Sequence, residues 1–197
     1  MSSNKMFYSL VPWAVFTLAA GHGGTKYVAP AALVSTLLAV AIAVYNTRGS
    51  SLKIIDASGV VTFAAITAIA FVSGDSVRGH LVDYGRGGAA LVLAIVMFAS
   101  LLFMPFTEQY ARESVPEQYW HSPVFRAVNR KLTAIWGTAI LIMSGGHLLS
   151  GHLEAAGDLH RRTNLTLNWI IPVLLVLGAL KFTRAVTDQR ASAAAAS

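Results

Sequence analysis

The sequence predicts an all-α protein, a polytopic bundle of transmembrane helices. Hydrophobic residues make up 55% of the chain and charged residues only 12%, a balance outside that of soluble domains. The apolar residues also gather into six runs that contain almost no charge: Phe7–Ala20, Val28–Tyr45, Ile54–Val72, Gly88–Met104, Thr133–Leu149 and Leu165–Leu180. Most runs are long enough for a helix to cross about 30 Å of hydrocarbon, and none alternates as barrel strands do. Since only helices and closed barrels satisfy the backbone in lipid, six helices are expected.

The first run is the shortest and leaves an alternative open. It is short for a span, so the bundle has either six helices or five helices plus a re-entrant first segment. Lys5 followed by an apolar run also fits a signal peptide, but the apolar rest of the chain favours a first span. A single transmembrane domain is expected over 1–190, followed by a disordered tail of small residues over 191–197.

Short polar turns separate the second, third and fourth runs. The second run ends at Tyr45, and the turn that follows, beginning with Asn46, is small, polar and basic. The third run carries Asp56 near its start, the one charged residue within the six runs. Gly85, Gly87 and Gly88 mark the start of the fourth run. With no acidic residue deeper in a run, a proton-coupled pump is not favoured.

The fifth helix is predicted to begin outside the hydrocarbon. Ser122 followed by Pro123 is typical of a helix N-cap and its first helical residue. The segment 106–131 mixes aromatic and charged side chains, as interfacial segments do. It either anchors the helix or docks a partner protein or an anionic lipid. The candidate docking residues are Tyr110, Arg112, Trp120, Arg126, Arg130 and Lys131.

The last run contains a break that is a candidate ligand site. Pro172 has no N–H to donate to the carbonyl of Asn168, which predicts a kink with polar groups at lipid depth. Such a break either binds a ligand or is satisfied by a neighbouring helix. Ser144, next to two glycines in the fifth run, is the expected neighbour. Asn168, Pro172 and Ser144 therefore form the candidate ligand-binding set.

Three histidines form a candidate metal or haem site at the other end of the helices. His22, His147 and His152 fall at or beyond the outer face, where imidazoles could ligate a metal or haem iron. His147 and His152 point about 140° apart on a helix, so ligands from other elements are needed. Ordinary interfacial histidines are the alternative. No cofactor is predicted, with haem or a metal left open. The absence of cysteine excludes disulfides and iron–sulfur clusters.

The charge distribution predicts an orientation. With six spans, the side holding both termini carries about twice as many lysines and arginines as the other. Both termini are therefore expected in the cytoplasm. The net charge of +6 is interpreted as this topology signal, and no nucleic-acid partner is expected.

Several short strings, in order, carry a family resemblance. They are 10–16 (LVPWAVF), 31–45 followed by a basic turn, Ser122–Phe125 with Asn129, Trp136-Gly137, and 164–181. Their order resembles the bacterial intracellular septation protein A (YciB) family. The resemblance implies a bacterial inner-membrane protein of about five spans with a short first one. It also implies a non-enzymatic role in the cell envelope or septation through contacts with other membrane proteins, with no catalytic residues.

Three functions follow as expectations. The leading one is an envelope protein of the cytoplasmic membrane that contacts the lipid bilayer, anionic lipid and other envelope membrane proteins. The first alternative is a transporter or facilitator for a small molecule or lipid that uses the break at Asn168 and Pro172. The second is a haem- or metal-binding redox protein that uses the outer histidines. No catalytic residue is expected, and homo-oligomerisation is left open.

Overall fold

The computed structural model describes the backbone of residues 2–20, 24–48 and 50–195, and the side chains of 5–20, 24–48 and 50–186. Every regular element in these ranges is helical. The helices are α1 (Ser2–Ala20), α2 (Thr25–Thr47), α3 (Ile54–Val72), α4 (Asp75–Ser100), α5 (Phe106–Ala111), α6 (Pro123–Ala155), α7 (Arg161–Leu165) and α8 (Ile171–Ala195). A 3₁₀ turn, Glu117–Tyr119, precedes α6, and a π-helical segment, Thr166–Ile170, joins α7 to α8.

Five helical stretches in the described part of the chain are long and apolar enough to cross a membrane. They are α2, α3, α4, α6 and the continuous stretch Arg161–Val186 through α7, the π segment and α8. The apolar part of α1, Lys5–Ala20, is shorter than these five. The prediction of an all-α chain with several long apolar helices is confirmed, and the count of six membrane-crossing helices stays a prediction. The expected disordered tail over 191–197 stays a prediction, and its last two residues lie outside the described part.

The packing centres on α4 and α6, the most extensively contacting pair of helices. Glycines allow this close approach: a Cβ added at Gly151 would collide with the carbonyl oxygen of Asp83, and one at Gly87 would lie 2.6 Å from Cγ of Leu148. α2 packs between α1 and α3, and α8 packs against α6. The buried core includes Trp13 and Phe16 of α1, Phe63 of α3 and Trp136 of α6.

The start of α6 agrees with the sequence. Ser122 is the N-cap, and its hydroxyl accepts a hydrogen bond from the backbone N–H of Phe125 over 3.2 Å. Pro123 occupies the first helical position, where its missing N–H costs nothing. The prediction of an N-cap followed by proline is confirmed, and α6 is the longest described helix at 33 residues.

An ionic cluster ties α1 to one face of the bundle, here called the N-terminal face because α1 begins there. Glu113 lies between Lys5 of α1 at 3.2 Å and Lys53, just before α3, at 2.8 Å. Burial raises the pKa of Glu113, but hydrogen bonds and charge from Lys53 and Lys5 outweigh it and hold that pKa below its ordinary value. The three charges therefore join α1, the α2–α3 turn and the segment after α5.

A second, buried polar cluster lies beside this one. The amide nitrogen of Asn46 donates to Ser9 Oγ and to a carboxylate oxygen of Asp56, each over 3.0 Å. The Tyr110 hydroxyl also donates to Ser9 Oγ, over 2.8 Å. Asp56, the isolated charge of the third run, is thus held by its neighbours, with one carboxylate oxygen unbonded among the described residues. This network fixes the end of α2 against α1, α3 and α5.

Candidate functional site

A cavity of about 460 Å³ lies between α1, α4, α6 and the last helical stretch. Its volume falls in the lower half of the range for small-molecule sites, roughly 300–1,000 Å³. Each helix contributes one stripe of side chains to the wall. The stripes are Phe7, Leu10, Val11, Trp13, Ala14, Thr17 and Leu18; Ala89, Ala90 and Leu93; Trp136, Ile140, Met143 and His147; and Asn168, Trp169, Pro172, Val173, Val176 and Leu177.

The 3.6-residue repeat of an α-helix explains why the lining residues of each helix lie on one face. Trp136, Ile140, Met143 and His147 recur at three- and four-residue intervals, so they share one face of α6. The α4 wall is built mainly from alanines, which leave space opposite the large side chains of α1 and α6. The wall is apolar along most of its length, and the cavity therefore favours a hydrocarbon occupant.

Hydrogen bonds join α6 to the last helical stretch at both ends of the cavity. Near the N-terminal face, Trp136 Nε1 donates to Thr183 Oγ1 over 3.1 Å. Near the opposite face, His147 Nδ1 and Asn168 Oδ1 are 2.7 Å apart. Because both links are fixed by hydrogen bonds, the spacing of the two helices between them is set before any ligand binds.

His147 and Asn168 form the polar end of the cavity. His147 is 1% exposed and Asn168 6% exposed. The Asn168 amide nitrogen donates to Ser150 Oγ over 2.6 Å and to Asn164 Oδ1 over 2.7 Å, which assigns its oxygen as the acceptor. His147 Nδ1 then carries the proton, which makes Nε2 of the neutral ring an acceptor.

The π-helical segment positions Asn168. The N–H of Ile171 bonds to the carbonyl of Thr166 five residues earlier, which defines a wider turn than an α-helix. Pro172 follows directly and has no N–H to donate back into this turn. Such π segments are frequent at functional sites because they redirect side chains. Here the segment brings Asn168 against His147 and Ser150 of α6.

The cavity opens sideways, toward where lipid would lie. α1 and α8 form its two edges but are not among the extensively packed helix pairs of the described chain. Rim residues from both helices are exposed, including Val11 and Leu18 on α1 and Val173 and Leu177 on α8. The cavity is therefore open on the side of the bundle between α1 and α8.

The structure brings together part of two sets predicted from sequence. Asn168 and Pro172, expected as a ligand site, and His147, expected as a metal or haem ligand, line the same cavity. Ser144 faces the other way, and its hydroxyl donates to the carbonyl oxygen of Gly87 on α4 over 2.9 Å. Close packing of α4 against α6 leaves it no path to Asn168.

The other two histidines of the predicted metal site are not placed at this cavity. His152 is exposed on α6, as its five-residue spacing from the buried His147 requires. His22 lies outside the described residues. Within the described ranges, no group of three His, Asp or Glu side chains is arranged to hold a metal ion. The haem or metal alternative stays a prediction.

The predicted docking residues lie at the N-terminal face and differ in their surroundings. Tyr110 is buried, and burial raises the pKa of its phenol above the ordinary value, so the hydroxyl remains a donor to Ser9. Their contacts are Arg112 with Glu108 and the Trp120 ring, Arg126 with His121, Arg130 with the Leu101 carbonyl, and Lys131 with the Phe182 ring. The cations therefore spread along the surface while Tyr110 faces inward.

Sequence reasoning missed the contribution of α1 and α4 to the cavity. The α1 stripe has helical spacing, but a first run that is apolar on every side does not show which face is buried. On α4, the alanines at 89 and 90 are indistinguishable from ordinary small residues at a helix contact. Only the three-dimensional arrangement shows that they border empty space.

Comparisons with known proteins leave the function to be argued from this geometry. No family model, curated protein or solved structure matches the chain. The resemblance to the septation family is therefore neither supported nor opposed by a match. The cavity, its polar end and its lateral opening are the features on which a function can be based.

Proposed function

We propose that this protein binds a single-chain amphiphile from the bilayer and carries or presents it to a partner within the membrane. The observation that carries this proposal is the apolar cavity that opens between α1 and α8 and ends at the buried pair of His147 and Asn168. Hydrocarbon fits the alanine- and leucine-lined body. A head group that donates a hydrogen bond fits the His147 end, because Nδ1 bonds to Asn168 and Nε2 of the neutral ring is an acceptor.

The dimensions of the cavity suit an amphiphile with one hydrocarbon chain and one polar head group. The wall from Trp136 to His147 extends eleven residues along α6, about 16 Å. A volume of about 460 Å³ over that length is narrow, which suits one extended chain. Access through the bilayer suits a poorly water-soluble molecule. This develops the facilitator alternative that the sequence suggested at Asn168 and Pro172.

Intrinsic fluorescence gives a direct test. Three of the four tryptophans, Trp13, Trp136 and Trp169, line the cavity, whereas Trp120 lies at the N-terminal face. A terminally brominated dodecanol or dodecanoate should quench the cavity tryptophans of protein in nanodiscs. Ala90→Phe places a ring inside the cavity and should abolish saturable quenching.

The matched control places the same ring elsewhere. Ala65 is exposed on α3, so Ala65→Phe should quench like the wild type. Trp120→Phe removes the tryptophan outside the cavity and should leave the saturable component intact. Equal quenching of the wild type and Ala90→Phe by both probes would show only partitioning into the bilayer and would overturn the proposal.

We also infer six membrane crossings, with both termini cytoplasmic in a bacterial inner membrane. In support, α1 begins at the N-terminal face, and Lys131 and Trp136 of α6 contact Phe182 and Thr183, near the end of the apolar stretch Arg161–Val186, at that face. The excess of lysine and arginine on that side favours the cytoplasm. Since the chain has no cysteine, single cysteines at Ser3 and Asp158 can be labelled separately. Labelling of both from the same side would contradict six crossings.

A second candidate function is an anionic-lipid and protein contact surface at the N-terminal face. Leu102 and Phe103 are 80% and 90% exposed, and the Arg130 guanidinium donates to the carbonyl of the neighbouring Leu101 over 3.0 Å. Apolar side chains beside cations suit a membrane surface. Such a surface would serve the envelope or septation role that the family resemblance implies, through contacts with other membrane proteins.

Charge reversal tests this second candidate. Arg126→Glu with Arg130→Glu should remove the extra thermal stability that phosphatidylglycerol nanodiscs give over phosphatidylcholine nanodiscs. The control Arg161→Glu with Arg162→Glu reverses two exposed cations at the opposite end of the bundle. An unchanged lipid preference in the first variant would reject the surface.

A further inference from the structure

We infer that the amphiphile carries an uncharged hydroxyl head, as a long-chain alcohol does, and that His147 and Thr17 select this head. The inference rests on the cavity function proposed above and adds the chemical class of the ligand. Three observations carry it. The described cavity wall has no charged side chain, both amide protons of Asn168 at its polar end are already used, and a threonine hydroxyl lies at the depth of His147.

The composition of the wall disfavours a charged head. The described lining contains no Asp, Glu, Lys or Arg side chain. His147 is 1% exposed, and its Nδ1 bonds to a neutral amide rather than to a carboxylate, so a protonated ring would be an isolated buried cation. An isolated carboxylate or ammonium group costs far more to bury than a hydroxyl does. The cavity therefore suits a neutral head.

Among neutral heads, the hydrogen bonds at the polar end favour one that donates. The two amide protons of Asn168 are used by Ser150 Oγ and Asn164 Oδ1. The amide oxygen lies against His147 Nδ1, so Nε2 of the ring is an acceptor that a hydroxyl can bond. An ester or a ketone has only acceptors, and placing one against Nε2 would leave both groups without a proton. These bonds therefore distinguish an alcohol from an ester or ketone on the same chain.

Thr17 of α1 supplies a second hydrogen-bonding group at the depth of His147. The rings of Phe7 and Trp136 pack edge to face near the N-terminal face, with centroids 6.3 Å apart. From these two residues, α1 and α6 both run toward the opposite face. Thr17 lies ten residues beyond Phe7, about 15 Å along α1. His147 lies eleven residues beyond Trp136, about 16 Å along α6. Since both side chains line the cavity, a hydroxyl head can donate to His147 and accept from Thr17.

The experiment compares different heads on one chain in nanodiscs. Tryptophan quenching of the wild type is titrated with terminally brominated dodecanol, with terminally brominated dodecanoate at about pH 9, and with bromododecane, which has no polar head. Affinities are expressed per mole fraction of probe in the bilayer, so that partitioning cancels. The alcohol should bind about threefold to tenfold more tightly than bromododecane, as the net gain of a hydrogen bond predicts. The carboxylate should bind more weakly than the alcohol.

Two variants test the named side chains. His147→Asn keeps an amide N–H for Asn168 but has no acceptor where Nε2 lies, and Thr17→Val removes only the hydroxyl from a side chain of similar shape. Each should reduce the preference for the alcohol and bind bromododecane within about threefold of the wild type, which shows that the cavity is intact. Thr17→Val decides the question if His147→Asn does not fold.

The outcomes separate the inference from the cavity function. Equal wild-type affinity for the alcohol and bromododecane would overturn the inference while the cavity function stands. Carboxylate binding as tight as alcohol binding, or an unchanged alcohol preference in either variant, would do the same. Failure of every probe to quench the wild type in a saturable manner would overturn the cavity function itself.

Discussion

The His147 imidazole and the Asn168 side-chain amide are 2.7 Å apart, Nδ1 to Oδ1, and this contact joins α6 to the π-helical segment. Because the amide nitrogen donates to Ser150 and Asn164, its oxygen can only accept, and the tautomer of His147 is fixed. The pair therefore has two effects. It sets the separation of two helices, and it leaves His147 Nε2 as an acceptor at the end of an apolar cavity.

Replacing Asn168 tests the first effect. Asn168→Leu leaves His147 Nδ1–H and Ser150 buried without that partner, so unfolding free energy should fall by about 1–3 kcal/mol. Asn164→Leu removes only one acceptor, at a half-buried position, and should cost less. Reversible unfolding in mixed micelles measures both. A loss in Asn168→Leu no larger than that in Asn164→Leu would show that the pair does not hold the helices.

The α4–α6 contact gives a second prediction. Gly151→Ala forces a methyl group against the Asp83 carbonyl and should destabilise the bundle by about 1–3 kcal/mol through overpacking. Gly145, on the same helix, has open space at its Cβ position. Gly145→Ala should therefore be neutral or stabilising by up to about 1 kcal/mol. If both alanines have the same effect on the melting temperature, the close approach is not a major packing contact.

The ionic cluster at the N-terminal face predicts a pH dependence. The pKa of Glu113 is held below 4.5 in the folded protein, mainly by Lys53 and Lys5 acting against the effect of burial. A lowered pKa contributes stability that is complete above about pH 4.5 and is lost as the pH falls through the folded value. The wild-type melting temperature should drop in that acidic window, and that of Glu113→Gln should drop less.

The pH experiment needs a second carboxylate as its control. Glu117 is exposed in the 3₁₀ turn, so Glu117→Gln should follow the wild-type curve. Glu113→Gln should also melt at a lower temperature at neutral pH, because Lys5 and Lys53 lose their common partner. Parallel melting curves for the wild type and Glu113→Gln from pH 7 downward would exclude a contribution from this cluster.

Tyr110 gives a fourth prediction, which separates folding from docking. Tyr110→Phe removes the hydroxyl that donates to Ser9 and should cost about 0.5–1.5 kcal/mol of stability. Tyr119 is 52% exposed, and Tyr119→Phe should change stability by less than about 0.5 kcal/mol. Because Tyr110 is buried, its replacement should leave the response to phosphatidylglycerol unchanged. A selective loss of that response would place Tyr110 at the lipid surface.

The helices were predictable because membrane burial leaves a strong one-dimensional signal. Runs of apolar residues locate the long helices, and Ser122 with Pro123 locates the start of α6 to the residue. The start of α4 was less apparent from the sequence. The fourth apolar run begins at Gly88, whereas the helix begins at Asp75, because a helix can extend beyond the hydrocarbon and keep polar residues there.

The cavity was only partly predictable. Pro172 shows in the sequence that backbone hydrogen bonding is interrupted near Asn168, and the structure places both at the cavity wall. That His147 would be the partner could not follow from sequence, because it depends on the rotation of α6 relative to the last helix.

The apolar part of α1 has a consequence for the surrounding lipid. Lys5–Ala20 extends about 24 Å, about 6 Å less than a typical hydrocarbon core. A short helix is accommodated by local thinning of the bilayer and by extension of flanking lysines toward the headgroups. With α1 crossing the bilayer as proposed, the thinned region would lie beside the opening between α1 and α8, where a ligand would enter. Occupancy of the cavity should consequently depend on the chain length of the host phospholipid.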